Sequence, residues 1–274
     1  MKHFIARMIT QLAPPIVLAM YRKFATRRLF SGTYQSWEAA RAASAGYDAK
    51  DVLRRVRESA IEVRNGRAIY ERDGVLFESI EYAWPLLAGL MWVAAQRGGR
   101  LRVLDFGGAL GTTYFQNRKF LRDLAEVRWN IVEQPSFVAV GNAEFADERL
   151  LFFGTLKECV EQQRCDVLVI SGVLQYLPDP GAILSEALRH AFDFVLIDKT
   201  PLLEDAPKRL TIQHVPESIY PGSYPAWFLS RSDLLSHFRE SYDLIEEFDW
   251  GDSVDLSDVR ATHRGFMFRR RRSA

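Results

Sequence analysis

Residues 103–111 read VLDFGGALG, an apolar run that reaches an aspartate and then turns through three glycines. This order is typical of a buried strand that passes through a tight turn into a helix. Gly107 and Gly108 let backbone approach a ligand without an intervening Cβ, and Gly111 allows close packing of helix on strand. The helix predicted at 112–125 directs its first amide groups at whatever binds there. The stretch therefore predicts a nucleotide-binding turn; a purely structural turn is the alternative.

Asp105 narrows the choice of ligand at this turn. A dinucleotide places an anionic pyrophosphate there, and a neighbouring carboxylate disfavours an anion. The same carboxylate favours a ligand with an ammonium group. Glu133 ends the second strand candidate, and a carboxylate there accepts hydrogen bonds from both hydroxyls of a ribose. The pair indicates a cationic nucleoside, whereas Glu133 taken alone indicates a solvated strand end.

From residue 100 onward, short apolar runs alternate with segments long enough for crossover helices. This alternation predicts a mostly parallel sheet with helices on both faces. The last two runs are joined by a polar segment without helical pattern, which indicates an antiparallel hairpin. The predicted fold is α/β, a Rossmann-like sheet of seven strands whose candidates are residues 101–106, 128–133, 149–153, 166–171, 193–198, 242–250 and 264–270.

Three segments carry a family resemblance: VLDFGGALG, NIVEQ at 130–134 and CDVLVISGVLQYLPDP at 165–180. They resemble the successive ligand-binding segments of the class I S-adenosylmethionine-dependent methyltransferases, and the similarity covers residues 100–270. Ala109 departs from the pattern, because many members have a glycine there. Two further stretches, at 70–90 and 215–230, resemble uncharacterised methyltransferases often found near bacterial surface-polysaccharide genes.

The resemblance implies S-adenosylmethionine as cofactor and a donor site at the carboxyl ends of the first four strands of the sheet. Family members contact the adenine after the third strand, where Gly154 and Thr155 lie. The loop after the fourth strand covers the methyl donor. The residues assigned to the donor are Asp105, Gly107, Gly108, Gly111, Glu133, Gln134, Thr155 and Ser171.

Residues 201–230 form a long connection, rich in proline and aromatic residues, between the fifth strand and the next predicted helix. A connection of that length without regular structure is usually functional. Rigid backbone with aromatic faces suits a lid or substrate wall, and a packed surface loop is the alternative. Ligands of open α/β sheets bind beyond the carboxyl ends of the strands. The residues assigned to the acceptor are therefore Gln175, Tyr176, Tyr220, Tyr224 and Trp227.

Methyl transfer to a hydroxyl requires a base that takes the proton. Histidine is a common general base, and His214 lies in the long connection; a structural histidine is the alternative. Asp198 ends the fifth strand and is the base, an acceptor of a substrate hydrogen bond, or the ion-pair partner of Lys199. These two residues are the catalytic candidates. No His, Cys, Asp or Glu set has metal-ligand spacing, so we expect no metal.

The composition limits the remaining possibilities. A net charge of +1 over 274 residues gives no general attraction to nucleic acid. The two cysteines match no zinc or redox motif and are too few for a disulfide framework, and such cysteine usage favours a cytoplasmic location. Residues 1–33 are apolar and basic, with three readings: peripheral contact with the inner face of a membrane, polyanion binding, or a helix docked on the domain. Residues 34–99 are predicted to form a helical extension that packs over the open end of the sheet. Residues 100–270 are predicted to form the methyltransferase domain, with residues 201–230 as an insertion in it.

The sequence thus predicts an S-adenosylmethionine-dependent methyltransferase acting on a small-molecule or saccharide-type acceptor, at oxygen, within polysaccharide biosynthesis. One alternative is a nicotinamide-dependent enzyme of nucleotide sugars, against which Asp105 and the lack of a Tyr-x-x-x-Lys pair argue. Another is a non-catalytic scaffold with the same fold.

Overall fold

The structure is a computed structural model that describes residues 29–46, 49–72, 74–80, 82–216 and 222–271. The apolar, basic residues 1–28 and the assigned Tyr220 lie outside the described residues. Within the described part of the chain, no helix is both long and apolar enough to cross a membrane.

The described elements alternate between helices and strands through most of the chain, with a π-helical turn at Gly141–Phe145 and a 3-10 turn at Leu174–Tyr176. In chain order the other elements are β1 (Phe30–Tyr34), α1 (Trp37–Ala43), α2 (Ala49–Arg64), β2 (Tyr70–Arg72), β3 (Val75–Phe77), α3 (Trp84–Gln96), β4 (Arg100–Phe106), α4 (Thr112–Leu121), β5 (Glu126–Val132), α5 (Pro135–Val140), β6 (Leu150–Phe153), α6 (Leu156–Gln162), β7 (Val167–Ser171), α7 (Pro180–Arg189), β8 (Phe194–Leu203), β9 (Arg209–Val215), β10 (Gly222–Ser230), α8 (Arg231–Ser236), β11 (Tyr242–Asp255) and β12 (Arg260–Arg270).

The seven predicted strands form one continuous part of the sheet, and the predicted fold class is confirmed. Strands β6, β5, β4, β7 and β8 lie side by side in that order and run parallel. Strand β12 pairs antiparallel with β8, and β11 pairs antiparallel with β12, which is the predicted terminal hairpin. The central strands are buried on both faces, as Val167 to Ile170 of β7 illustrate, which is why they read as unbroken apolar runs.

The connection at 201–230 is not irregular, and that expectation is wrong. Strand β8 continues to Leu203, and β9 and β10 form an antiparallel hairpin to which β1 adds a third strand. Strand β10 also pairs with the last two residues of β8, so the hairpin extends the central sheet. The alternating pattern of RLTIQHV is that of a strand, but the prolines on either side, and Pro225 within β10, obscure it.

The segment before the central sheet contains α1, α2 and α3 together with the small hairpin β2–β3. Pro85 lies in the first turn of α3, where the missing N–H is not needed. Leu90 and Val93 of α3 are fully buried against the sheet. A Cβ on Gly89 would come within 3.1 Å of Leu196 of β8, so this glycine permits the close approach of α3 to the sheet.

Candidate donor site

The turn after β4 has the unusual backbone that its glycines suggest. Gly107, Ala109 and Gly111 have φ angles of 74°, 50° and 97°, all in the left-handed region. Glycine adopts this region without cost, whereas the Cβ of Ala109 carries strain there. Gly111 then leads directly into α4. The turn therefore keeps its shape although alanine replaces a glycine that is common in the family it resembles.

Two of the glycines are also required by packing. A Cβ on Gly107 would lie 2.5 Å from Val173, in the loop after β7. A Cβ on Gly108 would lie 2.6 Å from Oδ2 of Asp105. The turn is thus pressed between the loop of the neighbouring strand and the carboxylate at the end of its own strand.

Asp105 lies under this turn and is only 1% exposed. The indole Nε1 of Trp129, on the adjacent strand β5, donates a hydrogen bond of 2.9 Å to its Oδ2. Burial raises the pKa of Asp105 from 3.8 to about 7; the bond from Trp129 opposes this shift, and the nearby carboxylate of Glu133 adds to it. One hydrogen bond thus does not offset the cost of burying the negative charge, and a cationic ligand beside Asp105 would stabilise it.

Glu133 follows β5 and closes the other side of the turn. Its Oε2 accepts a 2.6 Å hydrogen bond from the backbone N–H of Gln134, and the backbone of Ala109 also hydrogen-bonds to it. Burial nevertheless raises the pKa of Glu133, because it outweighs these two bonds. The structure thus brings together Asp105, Glu133 and the glycine turn, although they come from different parts of the sequence.

The next two residues assigned to the donor lie at helix starts beyond the sheet. Gln134 is exposed and directly precedes α5. Thr155 caps α6, because its Oγ1 accepts a 3.1 Å hydrogen bond from the backbone N–H of Glu158. The hydroxyl oxygen of Thr155 therefore already has a structural role at the carboxyl end of β6.

Ser171 ends β7 and contacts Asp198 of the neighbouring strand β8; Asp198 does not end its strand as predicted, because β8 continues to Leu203. Oγ of Ser171 donates a 2.9 Å hydrogen bond to Oδ2 of Asp198, and Nε1 of Trp250 donates one of the same length to Oδ1. Asp198 is fully buried, and this burial raises its pKa against the effect of Ser171. The ammonium group of Lys199 lies over the Trp250 ring, 4.7 Å from its centroid. Both carboxylate oxygens are thus engaged.

Gln175 lies in the loop after β7 and is largely buried. Its Nε2 donates a 3.0 Å hydrogen bond to the carbonyl of Gly172. Within the described part of the chain, its Oε1 is buried and has no hydrogen-bond partner. The amide is therefore oriented by its own loop.

The aromatic residues assigned to the acceptor gather where this loop meets the β9–β10 hairpin. The rings of Tyr176 and Tyr224 meet edge to face at 5.4 Å, and the Tyr176 hydroxyl donates to Oε1 of Gln213 at 3.0 Å. Trp227 donates from Nε1 to the carbonyl of Leu177 at 3.1 Å. Tyr176 is still 39% exposed, so this aromatic cluster presents an open face.

His214 lies apart from the aromatic cluster. It pairs with Ser223 in the β9–β10 ladder, one position along from the pair of Gln213 and Tyr224. Because side chains alternate along a strand, His214 projects from the opposite face of the hairpin to those two residues. Its Nε2 lies 2.6 Å from the hydroxyl of Ser31 on β1.

Two residues of the site were not assigned from the sequence. Trp129 reads as an ordinary apolar strand residue, and only its indole N–H distinguishes it from other core side chains. Glu71 of β2 is 2% exposed and accepts a hydrogen bond from the hydroxyl of Thr112, the first residue of α4. Arg72 and Asp73 follow it directly, so no local pattern distinguishes it from the other charged residues of a polar turn. Within the described ranges, no group of three His, Cys, Asp or Glu residues is arranged for a metal ion.

The strand order, the antiparallel terminal hairpin and the glycine turn after the first parallel strand define the class I methyltransferase fold. No family model and no curated protein matches the chain.

Among solved structures, the chain is similar to the N-terminal domain of EvdMO1, crystallised in the presence of S-adenosylhomocysteine (SAH) and D-fucose. The identity is 16% over 82% of this chain and 98% of that chain, with a TM-score of 0.48. It is also similar to the magnesium protoporphyrin IX methyltransferase ChlM from Synechocystis PCC 6803 with bound S-adenosylmethionine, at 12% identity over 83% and 99% of the two chains and a TM-score of 0.43. For the glycopeptide N-methyltransferase MtfA complexed with sinefungin, the identity is 13% over 65% and 93%, with a TM-score of 0.42.

Proposed function

We propose that this protein is an S-adenosylmethionine-dependent methyltransferase. The observation that carries the proposal is the convergence of two carboxylates, Asp105 and Glu133, on one glycine turn, each with its pKa raised by burial. Such a site gains Coulomb energy from a cationic ligand and repels a pyrophosphate. The bare backbone at Gly107 and Gly108 fits a ligand that lies against the turn.

The residues of the site have complementary roles in this proposal. Asp105 supplies the negative charge that attracts the ammonium group of the donor, and Glu133 accepts hydrogen bonds from its ribose hydroxyls. Gln134, Thr155 and Ser171 border the rest of the donor from the ends of the neighbouring strands. When bound, S-adenosylmethionine supplies an electrophilic methyl group. The protein's main task is to hold an acceptor in line with that carbon.

We propose a small-molecule or saccharide-type acceptor that is methylated at oxygen. The support is the aromatic cluster, in which the rings of Tyr176 and Tyr224 meet, with the polar groups of Gln213 and Gln175 beside it. Binding sites for small organic molecules typically combine aromatic walls with a few oriented polar groups. The open face of Tyr176 gives an acceptor access to the cluster.

Asp198 and His214 are our two candidates for the base. Asp198 is closer to the donor turn through Ser171, whereas His214 faces β1. The pH dependence of the methylation rate distinguishes them: the variant that removes the true base, Asp198→Asn or His214→Gln, loses the corresponding limb of the profile. The other variant keeps that limb.

Calorimetry with SAH tests the donor site directly. We expect SAH to bind the wild-type chain, and Glu133→Gln to weaken binding about tenfold through loss of a charge-assisted hydrogen bond. Glu161→Gln, in the exposed i,i+4 pair with Lys157, is the matched control and keeps wild-type affinity. Binding of NAD without binding of SAH would contradict the proposal. Binding of SAH without methyl release to any of a panel of hydroxylated acceptors would instead favour a non-catalytic scaffold.

A further inference from the structure

A second cavity, of about 350 Å³, runs along the later turns of α4. It is distinct from the donor turn, since Arg118 lies six residues beyond Thr112, or about 9 Å along the helix axis. None of its lining residues is acidic, and four are basic. The lining consists of Tyr114, Arg118, Lys119, Leu121, Arg122 and Arg149.

The geometry of α4 explains why these side chains meet. Tyr114, Arg118 and Leu121 are spaced by four and three residues, so they share one face of the helix. Arg149, which directly precedes β6, faces them from the other side of the groove. Tyr114 is 9% exposed and packs its ring 5.8 Å from that of Trp129, so it forms a fixed floor.

The cations of the groove are not neutralised by nearby acids. Among the residues that the structure describes, Arg118, Lys119 and Arg149 form no ion pair. Arg122 pairs with its neighbour Asp123 at 3.4 Å, and both side chains are more than 70% exposed. Because exposed ion pairs are weak, Asp123 does not prevent Arg122 from contacting another anion.

Asp147 is the acid to consider, because it lies close enough to the Tyr114 phenol to raise its pKa. Its Oδ1 accepts hydrogen bonds from the backbone N–H groups of Arg149 and Leu150, at 2.7 and 2.8 Å. Burial is the largest cause of the raised pKa of Tyr114, while Arg149 and Arg118 oppose it. The phenol therefore stays protonated at neutral pH and is available as a donor between two guanidinium groups.

We propose that this groove binds an anion that carries a phosphate or diphosphate group. The planar guanidinium groups of Arg118 and Arg149 match the oxygens of phosphate in pairs. Tyr114 adds a hydroxyl donor, and Leu121 adds an apolar wall for whatever is esterified to the phosphate. The C-terminal end of α4 itself repels an anion. Binding therefore depends on these side chains and not on the helix. This site lies beyond the proposed donor and acceptor sites and does not rest on them.

Calorimetric titration of the full chain with pyrophosphate at low ionic strength tests the proposal. We expect saturable binding to one site, weakened about tenfold or more in the double variant Arg118→Gln/Arg149→Gln. The matched control is Arg189→Gln/Arg239→Gln, which removes two exposed arginines far along the chain from the groove and so lowers the net charge by the same two units. No saturable binding, or equal weakening in the double variant and the control, would overturn the proposal, provided that thermal melts show all variants folded.

A vesicle arm identifies the source of the phosphate. The same three proteins are sedimented with vesicles of phosphatidylcholine alone and with vesicles that also contain phosphatidylglycerol. Pyrophosphate binding without vesicle binding supports a soluble phosphate ester as the ligand. Binding to the anionic vesicles that the double variant loses and the control keeps supports a lipid headgroup. Vesicle binding that all three proteins share, without pyrophosphate binding, overturns the proposal.

Discussion

Replacing Asp105 with asparagine should stabilise the ligand-free protein, and increasingly so as the pH rises. The folded-state pKa of Asp105 is raised above its ordinary value of 3.8 to about 7. The folded protein therefore keeps a proton that the unfolded chain releases between these pH values, and the stability contributed by this group falls as the pH rises from 4 to 7. Asparagine is nearly isosteric, stays neutral, and its Oδ1 still accepts from Trp129.

The magnitude follows from the two pKa values. Each tenfold change in the protonation equilibrium is 1.36 kcal/mol, so the buried charge costs about 4 kcal/mol well above pH 7. At pH 5 the same relation gives about 1.7 kcal/mol. The stability advantage of Asp105→Asn should therefore grow by about 2 to 3 kcal/mol between pH 5 and pH 8.5, whatever constant offset the substitution itself introduces.

Urea unfolding followed by tryptophan fluorescence at several pH values measures this growth. The control is Asp258→Asn, because its ion pair with Arg209 lowers the pKa of Asp258 to about 2. Its contribution is present above the unfolded pKa and lost only in acid, so this variant should differ from the wild type by a constant amount from pH 5 to 8.5. If the difference in unfolding free energy between Asp105→Asn and the wild type stays constant across that range, burial does not raise the pKa of Asp105. Our reasoning about the donor site would then fail.

Three further predictions concern the same turn. Gly108→Ala should cost about 1–3 kcal/mol in urea unfolding, because its Cβ would meet Asp105 at 2.6 Å, whereas Gly154→Ala, with its nearest contact at 3.5 Å, should be nearly neutral; equal effects would argue against the close packing. Trp129→Phe removes the hydrogen-bond donor to Asp105 and should lower the unfolding free energy by about 1–3 kcal/mol. It should also raise the pKa of Asp105 above about 7, which carboxyl-carbon NMR measures. An unchanged titration of Asp105 would disprove the contact. Ala109→Gly exchanges relief of left-handed strain against added unfolded-state entropy, so its unfolding free energy should stay within about 1 kcal/mol of wild type; a larger loss would refute the backbone assignment.

The central sheet could be predicted from the sequence because its strands are buried on both faces. Their apolar runs are unbroken, and polar residues at or next to their ends, such as Asp105 in β4 and Ser171 in β7, made those carboxyl ends visible. The end of β8 was not visible, because this strand continues beyond Asp198 to Leu203. The hairpin β9–β10 was not visible, because prolines flank β9 and Pro225 lies within β10. Sequence rules treat a proline as a break in the strand, but Pro225 pairs only with β9, in a part of β10 that has no partner on β8, where a missing N–H is tolerated.

The site could be predicted where it depends on chain order and not where it depends on register. Asp105 is the penultimate residue of β4 and Glu133 directly follows β5, and adjacent parallel strands bring residues at their carboxyl ends together. The separation of His214 from Tyr224 depends on which residues pair across β9 and β10, since a shift of one position would reverse the face. No pattern within one strand specifies that pairing. The role of Trp129 depends likewise on a neighbouring strand.

The contact between Glu71 and the hydroxyl of Thr112 has a consequence for how such chains can be recombined. The first residue of the helix that follows the donor turn is bonded to a buried acid contributed by a hairpin some forty positions earlier. A chimera that joins a different N-terminal segment to residue 100 would remove the acceptor of that hydroxyl. One that keeps the segment but alters position 112 would remove one hydrogen bond from a buried carboxylate, which also accepts from the backbone N–H of Gly74. The two segments should therefore be exchanged between relatives as a pair.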